Sequence, residues 1–304
     1  MKIKWFILLS LLVLAIPCSS YSETLFSDDF EWGSDWNSSQ SADIPQANGW
    51  GGVLATDFGG SYETMYVNSA AGSKSGTRAL VQYWDNTGGA TQESWLTQQP
   101  ISGWSFPNEY YIGYWFKVDT NWSWGSATSL KTWKVNYVTG DTTWDIGWMS
   151  GFVVACGDDW CNVDGTNWTG DSNCVAAIHT DEDCREVFGC WSDVNDGEWH
   201  YFIWHMNHSD EVIELSIDGN DASQMSPTGG YGSPFTSGVG TTRFNFGGNL
   251  SSGGGGYNEM FTAHDDLIIA TTLAEVTTFL GVGEASTTPR YQGMTFRGMG
   301  QGGE

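Results

Sequence analysis

The chain has 304 residues, a formal net charge of −25, only 15% charged residues, 40 glycines and 18 tryptophans. A balance of 11 Lys and Arg against 36 Asp and Glu excludes a surface built for nucleic acid or anionic membrane, and solubility in an extracellular setting is its plain reading. Glycine and aromatic enrichment with few charges points to many short strands joined by turns.

Residues 1–22, MKIKWFILLSLLVLAIPCSSYS, carry Lys2 and Lys4, an apolar run from Trp5 to Ile16 and then small polar residues. That order is expected of a cleaved secretory signal peptide, with Ser20 and Ser22 at the processing site. The rival is a lipoprotein anchored through Cys18, but Ala15-Ile16-Pro17 makes a poor lipobox. No later stretch is long and apolar enough for a helical membrane span. Residues 23–283 are then expected as one large β domain, secreted or periplasmic, and residues 284–304 as a flexible tail.

Strand-like runs bounded by Gly, Asn, Asp and Ser follow at 24–32, 77–84, 109–119, 130–137, 146–156, 198–207, 211–218, 242–247 and 264–272. Helical periodicity is confined to a turn or two at 272–281, TLAEVTTFLG. The expected fold is all-β, an antiparallel two-sheet sandwich of jelly-roll type. Beyond Cys18 the cysteines are Cys156, Cys161, Cys174, Cys184 and Cys190. Their clustering predicts a disulfide-rich insertion over 157–192, with two bridges, one free thiol and open connectivity. Zinc is disfavoured, because neither a CxxC pair nor HExxH occurs. The stretch 157–171, GDDWCNVDGTNWTGD, fails the EF-hand pattern because Trp160 stands where the first ligand belongs.

Alternation sorts each strand into two faces. In 109–119 an apolar face of Ile112, Tyr114, Phe116 and Val118 leaves Trp115 and Lys117 opposite. In 130–137 Trp133, Val135 and Tyr137 leave Thr132, Lys134 and Asn136, and in 242–247 Phe244 and Phe246 leave Arg243 and Asn245. The run EWHYFIWHMN holds two histidines on opposite faces: Phe202, Trp204 and Met206 belong with His200, leaving Tyr201, His205 and Asn207. The polar faces together contain aromatics, amides and cations but no Asp or Glu. Such a lining suits a sugar bearing carboxylate or sulfate: the indole stacks on the ring, amides hold hydroxyls and cations meet the anion. The expected binding set is Trp115, Lys117, Lys134, Asn136, Asn207, Arg243 and Asn245, on the assumption that the four faces share one groove.

SDDFE, SGTRALVQYW, GEWHYFIWHM followed by IELSIDGN, and HDDLIIATT recur in the order found in the concanavalin A-like lectin and glucanase superfamily, which the chain resembles over nearly its whole length after residue 22. TWKVNY and WHYFIWHM are most similar to strands of heparin-lyase-like polysaccharide lyases. The resemblance implies two curved sheets, a sugar-binding concave face, and a structural Ca²⁺ near the seam of the first and last strands, where Asp28, Asp29, Asp265 and Asp266 are the candidate ligands. The Glu-x-Asp-x-x-Glu motif of the glucanases is absent, so hydrolysis of that type is disfavoured. A lyase instead needs a neutralised uronate carboxylate and a base at its α-proton. Lys134, Asn136, Asn207 and Arg243 are the candidate neutralisers and His205 or Tyr201 the candidate base; the resemblance bears on His205, which stands where the similar lyases place a histidine in this strand. The alginate-lyase-like strand Tyr-Phe-Lys-x-Gly-x-Tyr departs here to Arg243-Phe-Asn-Phe-Gly-Gly-Asn249, and Tyr257 is a further candidate. Two readings stand: a polysaccharide lyase acting by β-elimination on an acidic glycan, or a carbohydrate-binding or adhesion module without chemistry. Trp160, Trp168 and Trp191 are candidate lid residues. No organic cofactor is implied.

Overall fold

The computed structural model describes residues 23–38, 40, 43–57, 65–84, 92–98, 106–121, 129–137, 143–149, 174–179, 185–190, 196–207, 212–225, 241–251 and 260–283. The expected signal peptide, the C-terminal tail, Tyr257, the three lid tryptophans, and Cys156, Cys161 and Cys184 lie outside the described residues.

The first sheet contains β1 (Thr24–Asp28), β2 (Trp36–Asn37), β4 (Met65–Asn68), β5 (Ala79–Trp84), β7 (Glu109–Val118), β12 (Trp199–Asn207), β13 (Val212–Ile217), β14 (Asn220–Met225) and β16 (Met260–Ala270). The second contains β3 (Gly52–Asp57), β6 (Gln92–Gln98), β8 (Ser129–Tyr137), β9 (Thr143–Met149), β10 (Cys174–His179), β11 (Arg185–Cys190) and β15 (Thr241–Ser251). Two short helices, α1 (Asp43–Ala47) and α2 (Leu273–Phe279), complete the described elements. The first sheet runs β14-β13-β12-β7-β16-β5-β4-β2, with β1 also on β16, and the second runs β11-β10-β9-β8-β15-β6-β3. All pairings are antiparallel. This is the expected two-sheet jelly-roll sandwich.

Alternation explains why these segments pair as they do. Tyr114, Phe116, Phe202 and Trp204 of the first sheet and Leu96, Phe244 and Phe246 of the second share one buried cluster. Tyr114 meets Phe246 edge-on at 5.3 Å, closing the space between the sheets. Trp36, Trp50, Trp84 and Trp204 are fully buried, so these four tryptophans are scaffold. Helix α2 begins where the Thr272 hydroxyl caps the Glu275 N–H and donates to its carboxylate, a reciprocal cap. It covers the outer face of the first sheet through Val276 and Leu280, packed on Trp115, Ile203 and Ile268. Gly113 permits that approach, since a Cβ there would run into Val276 and stand 3.1 Å from Leu280.

Strand ends shift from expectation by a few residues, and β2, β3, β4, β6 and β14 form where no strand is expected. The segment expected as an insertion supplies two regular strands, Cys174–His179 and Arg185–Cys190, which extend the second sheet beyond β9. Strand β9 also starts at Thr143, three residues before the expected 146. The first and last strands do pair, with Asp28 opposite Leu267.

Candidate functional site

The residues expected to share one groove are divided between the two sheets. Trp115, Lys117, Tyr201, His205 and Asn207 lie on β7 and β12 of the first sheet, whereas Lys134, Asn136, Arg243 and Asn245 lie on β8 and β15 of the second. Phe202 and Phe244 both face the same core, so the alternate positions on these strands face opposite sides of the sandwich. The joint site is therefore corrected to two separate faces.

On the first face the side chains are already committed. Trp115 is 7% exposed; its indole N–H donates to the Leu280 carbonyl at 3.3 Å, and Lys74 Nζ sits 4.0 Å from its ring centroid. No open ring face remains for a sugar. Lys117 donates to the Ala71 carbonyl at 3.2 Å. His205 stacks flat on Tyr111 at 4.4 Å, with Nδ1 2.7 Å from Glu214 and Nε2 2.9 Å from Glu109. Both ring nitrogens thus face carboxylates, and neither is turned toward a substrate. Tyr201 is half-buried against Trp115, and burial together with the Asp218 charge raises its phenol above the usual range, opposing loss of the proton. Asn207 is 9% exposed at the end of the same strand. His200 lies on the other face of β12, as the ladder partner of Phe116, and is bound by Asp218 at 2.6 Å and Asp196 at 3.2 Å. Its pKa is raised, first by the Asp218 hydrogen bond. The outer face, with His205 between Glu109 and Glu214, knits β7, β12 and β13 together and is structural in character.

The four aspartates are equally occupied. Asp28 is buried and accepts the indole N–H of Trp32 at 3.0 Å, that of Trp50 at 2.5 Å and the Phe30 N–H at 2.7 Å. Burial raises its pKa to about 6. Asp265 accepts the N–H groups of Lys74, Ser75 and Asp266 at 2.7, 3.1 and 2.9 Å, and burial raises it to about 7. Asp266, at a positive φ of 50°, accepts the Ser75 hydroxyl at 2.7 Å; Asp29 accepts the Glu31 N–H at 3.1 Å. This donor set does not fit a shared calcium centre: its carboxylates serve separate N–H and O–H donors. Among the described residues no group of three or more His, Cys, Asp or Glu is arranged to hold a metal.

The second face keeps the remaining expected residues together. Arg243 is directly opposite Asn136, and Asn245 directly opposite Lys134. Asn245 also opposes Thr97 of β6, and Lys134 opposes Asp145 of β9. Residues opposed across a ladder share a face, so one row reads Thr97, Asn245, Lys134, Asp145 and the next Arg243, Asn136, Thr143. Asn245 on this face is only 3% exposed, and Thr132, at the register irregularity of β8, is likewise 3% exposed. Asp145 escapes a strand that is taken to start at 146. The alternation of Trp144, Ile146 and Trp148 with Thr143 and Asp145 is the signal that finds it.

Comparison of the sequence with protein-family models and with curated proteins gives no match. Solved structures of similar shape include an endo-β-1,4-glucuronan lyase from the fungus Trichoderma reesei, at 16% identity over 75% of this chain and 94% of that one, TM-score 0.45. The alginate lyase Aly36B is similar at 11% identity over 80% and 95%, TM-score 0.48. Domain 4 of AbnA, an extracellular arabinanase from Geobacillus stearothermophilus, is similar at 16% identity over 76% and 89%, TM-score 0.41.

Proposed function

We propose that the protein is exported and binds an acidic, uronate-bearing polysaccharide across the outer face of the second sheet. The observation that carries this reading is the register in which Arg243 opposes Asn136 and Asn245 opposes Lys134. Two cations and two amides then occupy adjacent rows of one face, in a chain where cations are scarce. Lys134 and Arg243 would meet carboxylates, Arg243 as a bidentate donor, while Asn136 would hold hydroxyls and the buried Asn245 would support the row from within the sheet. Charge-assisted bonds of this kind contribute about 1.5–3 kcal/mol each.

A lyase reading has one specific support. Asp145 is the ladder partner of Lys134, so the register brings a residue of acid–base type and a cationic residue to directly opposed positions. β-Elimination asks for that combination: neutralising the carboxylate acidifies the neighbouring carbon, and a nearby base removes its proton. His205 and Tyr201 have no part in this version.

The test is gel retardation with alginate, glucuronan, pectate, hyaluronan and heparin, alongside ultraviolet absorbance for unsaturated uronyl product. Retardation lost in Lys134→Ala and Arg243→Ala but kept in His205→Ala supports the binding face. Product formation lost in Asp145→Asn makes the protein a lyase. Retardation by none of these glycans, or retardation indifferent to Lys134 and Arg243, refutes the proposal.

A further inference from the structure

In the ladder between β10 and β11 at the edge of the second sheet, Cys174 and Cys190 are direct Cα partners. The cysteine spacing alone leaves the pairing open, because five cysteines follow residue 22 within a short window. Register removes most of that freedom. Directly opposed residues of an antiparallel pair have Cα atoms about 4.5 or 5.5 Å apart, depending on the hydrogen-bonding position. Both separations fall within the roughly 4.4–6.8 Å that a disulfide spans.

The geometry points to a disulfide joining Cys174 to Cys190, a cross-strand staple at the outer edge of the sheet. It forms when the two thiols lose two protons and two electrons to a disulfide oxidant such as oxidised glutathione, which is reduced to two thiols. The bond closes the end of the β10–β11 hairpin remote from its 180–184 connection. The same row continues inward through Met149 of β9 to Ser129 of β8, so the staple holds the edge strand in register with the strands that carry Lys134 and Asp145. Cys156, Cys161 and Cys184 are left to form one further bridge and one free thiol. The inference rests on the proposal of export for its oxidant in the cell; the pairing itself is tested without it.

The experiment uses the full chain, refolded in a defined mixture of reduced and oxidised glutathione, its free thiols then blocked under denaturing conditions. Digestion before aspartate and after arginine isolates residues 171–180, containing only Cys174, from residues 186–192, containing only Cys190. The expected result is one species linking these two peptides, split by reductant. Either peptide recovered alkylated, or linked to a peptide with another cysteine, overturns the assignment. A thiol count supplies the second readout. Cys174→Ser and Cys190→Ser should each expose one more reactive thiol than the unaltered chain, and the double variant none more. Two further thiols in the double variant would mean that each had a different partner. Pairing in the redox mixture but reduced thiols in chain recovered from its host would reject export and leave the pairing standing.

Discussion

His264 offers the sharpest test of the core. It is fully buried on β16, with its ring 4.7 Å from Phe246, 4.8 Å from Phe116 and 5.9 Å from Tyr114. Among the described residues neither ring nitrogen has a hydrogen-bond partner. Burial alone lowers its pKa from 6.5 to about 3. The folded state thus refuses a proton that the unfolded chain accepts, so stability is intact above pH 6.5 and falls as the pH drops toward 3. The full loss is about 5 kcal/mol, since a tenfold change in proton affinity is worth about 1.4 kcal/mol. Leucine is close to histidine in volume and brings no polar atom. His264→Leu should therefore be more stable by roughly 1–3 kcal/mol near neutrality, the usual cost of an unsatisfied buried polar group. The advantage should widen by about 1.4 kcal/mol per pH unit below 6.5. Urea unfolding followed by tryptophan fluorescence at pH 7, 5.5 and 4 measures both effects. Asp28 and Asp265, whose raised pKa values act in the opposite sense, contribute equally to both proteins and cancel in the difference. A gap that stays constant with pH, or a variant less stable at pH 7, would mean that the ring is hydrogen-bonded or hydrated, and the reasoning would fail.

Asp28→Ala strips the acceptor from two buried indoles and one backbone N–H; a loss of about 3 kcal/mol or more in chemical denaturation is expected, and a loss under 1 would refute the anchoring role. Gly113→Val should lift α2 from the sheet because the new side chain collides with Val276 and Leu280, costing about 1–3 kcal/mol and speeding proteolysis near residues 273–283. His205→Ala should leave glycan retardation unchanged and alter stability by at most about 1 kcal/mol, since Glu109 and Glu214 are half-exposed partners. Asp265 holds its proton more tightly when folded, so its contribution is complete below about pH 3.8 and disappears as the pH rises through about 7. Asp265→Asn should therefore flatten the neutral limb of the stability profile, as read by thermal melts between pH 5 and 8.

The sandwich is legible because alternation is written into single strands: Ile112, Tyr114, Phe116 and Val118 announce a core face, and so do Phe244 and Phe246. Alternation gives each strand two faces but says nothing about which sheet the strand joins. Both sheets turn one apolar face inward, so the outward residues of β12 and β15 look alike in sequence while standing on opposite sides of the molecule. For that reason alternation groups His205 with Arg243. The carboxylates that engage His205 come from β7 and β13, and only the ladder brings Glu109 and Glu214 to it. Asp28 looks like a metal ligand for the same reason: Trp50, which binds it, is 22 residues away. The cysteine-rich stretch conceals its two strands because CVAAIH and REVFGC are short and their thiols are the louder signal.

Strand β16 occupies the middle of the first sheet, beside β7 along its length and against β5 and β1 in turn on its other side. It is also the last strand in the described chain. Synthesis must therefore pass residue 270 before this keystone exists, and β1, β4 and β5 have no route into the sheet until it arrives. Pairing over such sequence distances carries a large loop-closure cost, which makes folding slow and leaves the unfinished chain sticky. The first sheet is therefore completed only once β16 has docked, however early its other strands are made.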